Sequence, residues 1–150
     1  MRAVIQRVLT SSVIIGGLPK AEIDQGLLIL LGIEVSDDDV DLEWLTRKII
    51  NLRVFADEHG KMNKSVKDIG GDILLISQFT LCASTKKGNR PSFINAASPE
   101  IAKPLYQQMI TSLNETLGTE IATGEFAADM KVELVNDGPV TIWMDSKSRE

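Results

Sequence analysis

Two short stretches hold the residues whose types and spacing can do chemistry. The first is Ser77-Gln78-Phe79-Thr80-Leu81, where an apolar run turns polar. Strand alternation would point Ser77, Phe79 and Leu81 one way and Gln78 and Thr80 the other. The Thr80 hydroxyl and the Gln78 amide suit a polar substrate, and backbone N–H groups freed at a strand end suit an oxyanion. The plainer alternative is that both side chains only satisfy backbone groups inside a barrel. The second stretch is Asn136-Asp137-Gly138-Pro139-Val140-Thr141, a Gly-Pro step between two apolar runs. Proline has no N–H to give a sheet and fixes its own φ, so a turn or a strand end is expected here. Glycine lets backbone come close to a ligand, and an X–Pro bond is where a cis peptide costs least. Such a tip can offer a backbone carbonyl, rather than a side chain, to a small molecule. An ordinary hairpin turn is the plainer reading.

Other catalytic parts are scarce. His59 is the single histidine and falls in a polar turn, Asp57-Glu58-His59-Gly60. Cys82 has no histidine near it in sequence and reads as an incidental or buried thiol. No spacing resembles a zinc site, a phosphate loop or a dinucleotide fingerprint, so neither a metal nor a cofactor is expected.

The chain has 150 residues, 43% of them hydrophobic and 25% charged, which fits one globular domain over 1–150. No apolar run approaches the roughly 20 residues that span a bilayer, and the first residues alternate like a strand. With a single cysteine, a cytoplasmic protein with no membrane partner is expected. The net charge of −5 argues against broad nucleic-acid coating. Its distribution is uneven. Nothing acidic lies between Asp72 and Glu100, and that window holds Lys86, Lys87 and Arg90, a small basic loop suited to a local phosphate contact.

The elements that must position these stretches follow from periodicity. Residues 1–9 and 11–15 read as strands, Gly16-Gly17 as a hairpin turn, and a return strand ends near Ile23. Residues 26–34 lack alternation and read as a central strand buried on both faces. Ser36 followed by three aspartates reads as a helix cap, with Val40, Trp44, Leu45, Ile49 and Leu52 as the buried stripe. Short strands are expected at 53–56 and 61–66, and a second apolar strand at 73–81. After a polar loop, Ser98-Pro99-Glu100 opens a second helix lined by Leu105, Met109, Leu113 and Leu117 and ended by Gly118. Pro104 is expected to kink its first turn or set it apart. Strands at 119–123 and 131–144 close an α+β fold, two helices against a largely antiparallel sheet or barrel.

Taken together, the two stretches resemble the D-aminoacyl-tRNA deacylase family. The likeness runs the whole chain: the Met1-Arg2-Ala3-Val4-Ile5-Gln6-Arg7-Val8 opening, Ser77–Leu81, Lys87-Gly88-Asn89-Arg90-Pro91-Ser92-Phe93, and Asn136–Thr141. One departure is Ala127, in Phe126-Ala127-Ala128-Asp129-Met130, where the family commonly carries glycine. The resemblance implies a barrel-like homodimer that hydrolyses the ester joining a D-amino acid, or glycine mischarged on tRNA(Ala), to the tRNA acceptor end. It implies a cis Gly138-Pro139 bond whose motif enters the partner subunit's pocket and leaves no room for an L side chain. Arg7 would buttress that gate across the interface. Ser77, Gln78, Phe79 and Thr80 would form the ester-binding wall, with Thr80 and Gln78 closest to the chemistry. Phe126 and Met130 would hold the terminal adenine, and Lys86, Lys87 and Arg90 would touch acceptor-stem phosphates.

Two other readings compete with this one. A small-molecule hydrolase at a subunit interface would use Thr80 and turn over D-aminoacyl esters lacking the adenosine. A non-catalytic RNA-binding module would use the basic loop alone and bind with steep salt dependence.

Overall fold

Strand β1 (Arg2–Ile15) organises the molecule because every long strand pairing except one runs through it. Its first half lies antiparallel to β3 (Gly26–Gly32), its second half antiparallel to β2 (Leu18–Ile23), and its whole length antiparallel to β8 (Met130–Asp145). The other edge of β3 takes β6 (Asp72–Ser77) in parallel, and β6 takes the short β7 (Ala122–Thr123), also in parallel. The computed structural model describes residues 1–149. Its six-stranded sheet curls so that β2 approaches β6 and β7, a nearly closed, barrel-like form. A separate ribbon pairs β4 (Phe55–Ala56) with β5 (Met62–Lys64).

Helices α1 (Asp39–Ile50) and α2 (Pro99–Leu117) cover one face of the sheet. Leu42, Leu45, Ile49 and Ile50 of α1 meet Tyr106, Met109 and Leu113 of α2 over Ile5, Leu27, Ile29 and Leu75. β3 is buried along nearly all its length, as expected of a strand with no alternation. The inside of the curl is a smaller cluster built from Val8, Val13, Leu28 and Leu74. Among the described residues no helix is long and apolar enough to cross a membrane.

Several local expectations are corrected. β1 is one strand rather than two. The cap of α1 is Asp38, not Ser36: its carboxylate accepts from Val40 N–H at 3.0 Å, while Asp41 reciprocates on Asp38 N–H at 3.1 Å. Val40 therefore sits on the first turn's outer side and is 64% exposed. α2 runs unbroken past Pro104. The strands expected at 53–56, 61–66 and 119–123 shorten to two or three residues each.

The largest corrections fall on the two chemical stretches. β6 ends at Ser77, and Phe79–Cys82 form a 3-10 turn, so strand alternation does not govern these side chains. The strand expected at 131–144 is present as β8, so residues 131–135 and 140–143 are not the two arms of the plainer hairpin. Both lie on β8, against β1, and the Gly-Pro step bulges from the middle of that strand. Gln6 faces Thr141 and Val8 faces Asn136, which leaves 137–140 opposite Arg7 alone. Such extra residues break the ladder and throw the backbone outward.

Candidate active site

A cavity of about 560 Å³ opens where the end of β6 meets the start of α2 and the segment leading into β8. Ser77, Gln78 and Phe79 form one wall, and Phe126 and Met130 another. Five residues singled out in the sequence are thus brought together. Pro99 and Ala102 of α2, Ala97 just ahead of it and Ile33 just past β3 add to the lining. Sequence reasoning missed these four, since small or apolar residues at a helix start carry no chemical signal.

Thr80 is exposed and is not part of the cavity lining, but it is coupled to it: Gln78 Nε2 donates to Thr80 Oγ1 at 2.5 Å. The 3-10 turn places both. Leu81 N–H donates to Gln78 O at 3.2 Å and Ala83 N–H to Thr80 O at 3.1 Å. The amides of Phe79 and Thr80 precede the first of these bonds, so neither has an acceptor within the turn. Two anchors hold the turn against the sheet. Gly32 lets it come close, since a Cβ there would lie 2.9 Å from Leu81 Cβ and 3.1 Å from Gln78 O. Arg2 donates to Leu81 O at 3.0 Å while pairing with Glu34 at 3.1 Å and Asp145 at 3.3 Å. Arg2 is therefore a positioning residue that the sequence reading passed over.

The opposite wall is fixed from behind. The Phe126 ring packs on Tyr106 of α2 with centroids 5.9 Å apart, and Tyr106 OH donates to Leu75 O at 2.9 Å. Burial pushes the Tyr106 phenol up to about 12, so it stays protonated and structural. Burial, reinforced by Glu34, likewise pushes the Cys82 thiol up to about 11, and Cys82 is no nucleophile at neutral pH. His59 is exposed in its turn, where its backbone N–H donates to Asp57 Oδ1 at 2.9 Å.

Lys86, Lys87 and Arg90 are all exposed, on a loop whose neck is closed by Ser84 and Ser92 exchanging backbone bonds of 2.8 and 2.9 Å. Phe93, next to that neck, packs edge-on against Phe79 with centroids 5.1 Å apart. The basic loop is thereby tied to the cavity wall. Among the described residues no group of three or more His, Cys, Asp or Glu is placed to hold a metal.

The β8 bulge is braced by its own chain. Arg7 Nε donates to Asp137 O at 3.1 Å and pairs with Asp137 Oδ2 at 2.9 Å, while Arg7 Nη1 donates to Val54 O. Asn136 Nδ2 closes the neck on Arg7 O at 3.1 Å and Val140 O at 3.0 Å. At the tip the Gly138–Pro139 bond is cis, and both residues are exposed. None of residues 136–141 lines the chain's own cavity. One molecule thus carries a polar-ended cavity and, apart from it, a stiffly held and solvent-facing backbone tip.

Comparison with known proteins gives this geometry a context. A family model described as D-Tyr-tRNA(Tyr) deacylase matches residues 4–145. A D-aminoacyl-tRNA deacylase from Bacteroides thetaiotaomicron is 61% identical over 150 residues, covering all of both chains. One from Flavobacterium johnsoniae is 57% identical over the same full length. Among solved structures, a c-Myc DNA unwinding element binding protein superposes with a TM-score of 0.91 at 44% identity, over 97% of this chain and 98% of that one. A probable eukaryotic D-amino acid tRNA deacylase superposes with a TM-score of 0.82, over 95% and 97% of the two chains; at 14% identity it speaks to the fold alone.

Proposed function

The chain belongs to the D-Tyr-tRNA(Tyr) deacylase family and is a hydrolase of D-aminoacyl-tRNA; on that premise we propose how it tells the two hands of its substrate apart. The protein works as a homodimer in the cytoplasm, and the Gly138-Pro139 bulge of one subunit enters the cavity of the other. Backbone carbonyls of the bulge receive the substrate's α-amino group. An L side chain would then point into main chain and collide, a D side chain points away, and glycine has nothing to collide. Discrimination is therefore steric, and the same site accepts glycine carried on tRNA(Ala).

The ester lies along Ser77, Gln78, Phe79 and Thr80. Water attacks the carbonyl carbon, and the amides of Phe79 and Thr80 take the oxyanion. The bond to the ribose 3′-oxygen breaks, giving a free amino acid and a tRNA 3′-hydroxyl. An aminoacyl ester is already activated, so positioning and oxyanion stabilisation suffice without a histidine base. Thr80 orients Gln78 and the attacking water rather than forming an acyl-enzyme, and the ribose 2′-hydroxyl assists from the substrate. Phe126 and Met130 hold the terminal adenine. Lys86, Lys87 and Arg90 meet acceptor-stem phosphates, contacts that position without reading sequence.

One observation carries this reading: the exposed tip is braced by Arg7 and Asn136, yet lines no cavity of its own chain. A rigid backbone wedge without a local ligand suits a neighbour's pocket. The test is a comparison of D-Tyr-tRNA with L-Tyr-tRNA. Hydrolysis of the D ester with the L ester spared is expected, and comparable turnover of both would remove the steric gate.

A further inference from the structure

Phe79 lines the cavity yet is 56% exposed, and its ring meets that of Phe93 at 5.1 Å between centroids. Phe93 follows directly on Ser92, which closes the neck of the loop carrying Lys86, Lys87 and Arg90. The aromatic pair therefore spans the gap between the cavity mouth and the basic loop. Beside Phe93, Ile94 is the most exposed large hydrophobic among the described residues, at 82%. The turn that carries it is fixed. Ala96 N–H closes it on Phe93 O at 3.0 Å, and Val35 N–H, just past β3, donates to Asn95 O at 3.1 Å. Single exposed apolar residues need no explanation, but a contiguous, backbone-fixed group at a cavity mouth marks a contact surface.

We propose that Phe79 and Phe93 form a stacking surface for the base next to the terminal adenosine, so that an unpaired 3′ end is recognised as well as the aminoacyl group. The proposal rests on the deacylase reading above. That reading puts the terminal adenosine in the cavity and the stem phosphates at the basic loop, so the nucleotides between them cross this surface. They are single-stranded, with base faces open to stack on aromatic side chains. Residues 91–97 carry no charge, so the crossing offers bases a partner and offers phosphates none. Stacking of this kind is indifferent to which base is present, and the surface selects single-stranded geometry rather than sequence. Phe93 takes no part in ester cleavage, so its effect falls on KM.

The experiment is a cycle between ring and base. Wild type, Phe93→Leu and Phe93→Tyr are assayed on D-Tyr-tRNA with the natural nucleotide before the terminal adenosine, and on the same tRNA with an abasic ribose there. For the wild type, removing the base is expected to raise KM about fivefold or more and to leave kcat within about twofold. Phe93→Leu keeps apolar bulk against Phe79 but has no ring. It is expected to show a similar rise in KM on the natural tRNA, and no more than about twofold further on the abasic one. Phe93→Tyr should match wild type within about twofold on both. A wild type indifferent to the missing base would overturn the proposal. So would a Phe93→Leu loss equal on the two tRNAs, because the ring would then only brace the wall or meet a second subunit. A wild type that leaves D-Tyr-tRNA intact would instead overturn the deacylase reading.

Discussion

Arg7 holds Asp137 twice, its Nε lying 3.1 Å from the backbone oxygen and 2.9 Å from the carboxylate, so a single guanidinium on β1 fixes both the main chain and the side chain at the shoulder of the β8 bulge. A third contact, to Val54 O, stops the guanidinium from turning. The single Nε–H is shared between the two oxygens, and the charge on donor and acceptor makes such a contact stronger than a neutral one.

Arg7→Ala should therefore loosen the bulge more than the barrel. The expected outcome is a kcat/KM on D-Tyr-tRNA lower by tenfold or more, about 1.4 kcal/mol or more of transition-state binding. Stability should fall by about 1–3 kcal/mol from the lost bonds. Arg7→Lys should recover little activity, since one ammonium cannot reach all three acceptors. Steady-state kinetics alongside thermal unfolding separates the two effects.

At the tip, Gly138 has φ +131°, and a Cβ there would lie 2.9 Å from both Arg7 Nη2 and Val140 Cγ2. Gly138→Ala should displace the backbone of the proposed gate. Turnover of D-Tyr-tRNA should drop at least tenfold while the circular dichroism spectrum of the barrel is kept. Wild-type kinetics with wild-type chiral preference would show the tip to be dispensable.

Thr80 meets the site through Gln78, at 2.5 Å, rather than by lining the cavity. Thr80→Ala should then lower kcat by about tenfold or less, the scale of a lost positioning bond. No acyl-enzyme should be trapped by rapid acid quench and mass spectrometry. A loss near the roughly 10⁴-fold or larger effect of removing a nucleophile, with a trapped adduct in wild type, would assign Thr80 the covalent role.

The basic loop makes a salt-dependent prediction. Replacing Lys86, Lys87 and Arg90 together by alanine should raise KM for D-Tyr-tRNA and leave kcat unchanged. The slope of log affinity against log salt should shrink by roughly two to three, since each duplex phosphate contact contributes about 0.9. An unchanged slope would place the acceptor stem elsewhere.

Away from the site, Asp41 offers a pH prediction. Burial raises its carboxyl pKa, but hydrogen bonds from Lys147, Ser146 and the Asp38 amide outweigh that and bring it down to about 2 from 3.8. A depressed folded-state value means stability that is fully present above pH 3.8 and lost as pH falls toward 2. Asp41→Asn should be less stable at neutral pH and should lose less on acidification through that window. Acid titrations of Tm for the two proteins measure it.

The contrast between α2 and β8 explains what was legible beforehand. Ser98-Pro99, the apolar stripe through Met109 and Leu113, and Gly118 at φ +82° are local signals, and the helix forms where they place it. The burial of β3 was equally readable, because an unbroken apolar run has few other places to go. The bulge was not. Gly-Pro specifies a local break, but whether the chain then turns back or resumes its strand depends on β1 and on Arg7, more than a hundred positions away, whose carbonyl takes the Asn136 amide. The 3-10 turn at Phe79–Cys82 hid for the same reason. Its anchors are Gly32 and Arg2, which nothing in Ser77–Leu81 announces.

Subunit mixing shows whether the tip of one subunit works in the cavity of the other. Gly138→Ala spoils a tip, and Ser77→Trp fills a cavity; each homodimer alone should be inactive. After joint unfolding and refolding at equal concentrations, half the dimers are mixed, and each mixed dimer pairs one intact tip with one intact cavity. D-Tyr-tRNA hydrolysis should then return to about a quarter of the wild-type rate by this counting. If tip and cavity belonged to the same subunit, every site in every dimer would carry one defect, and no activity at all would return.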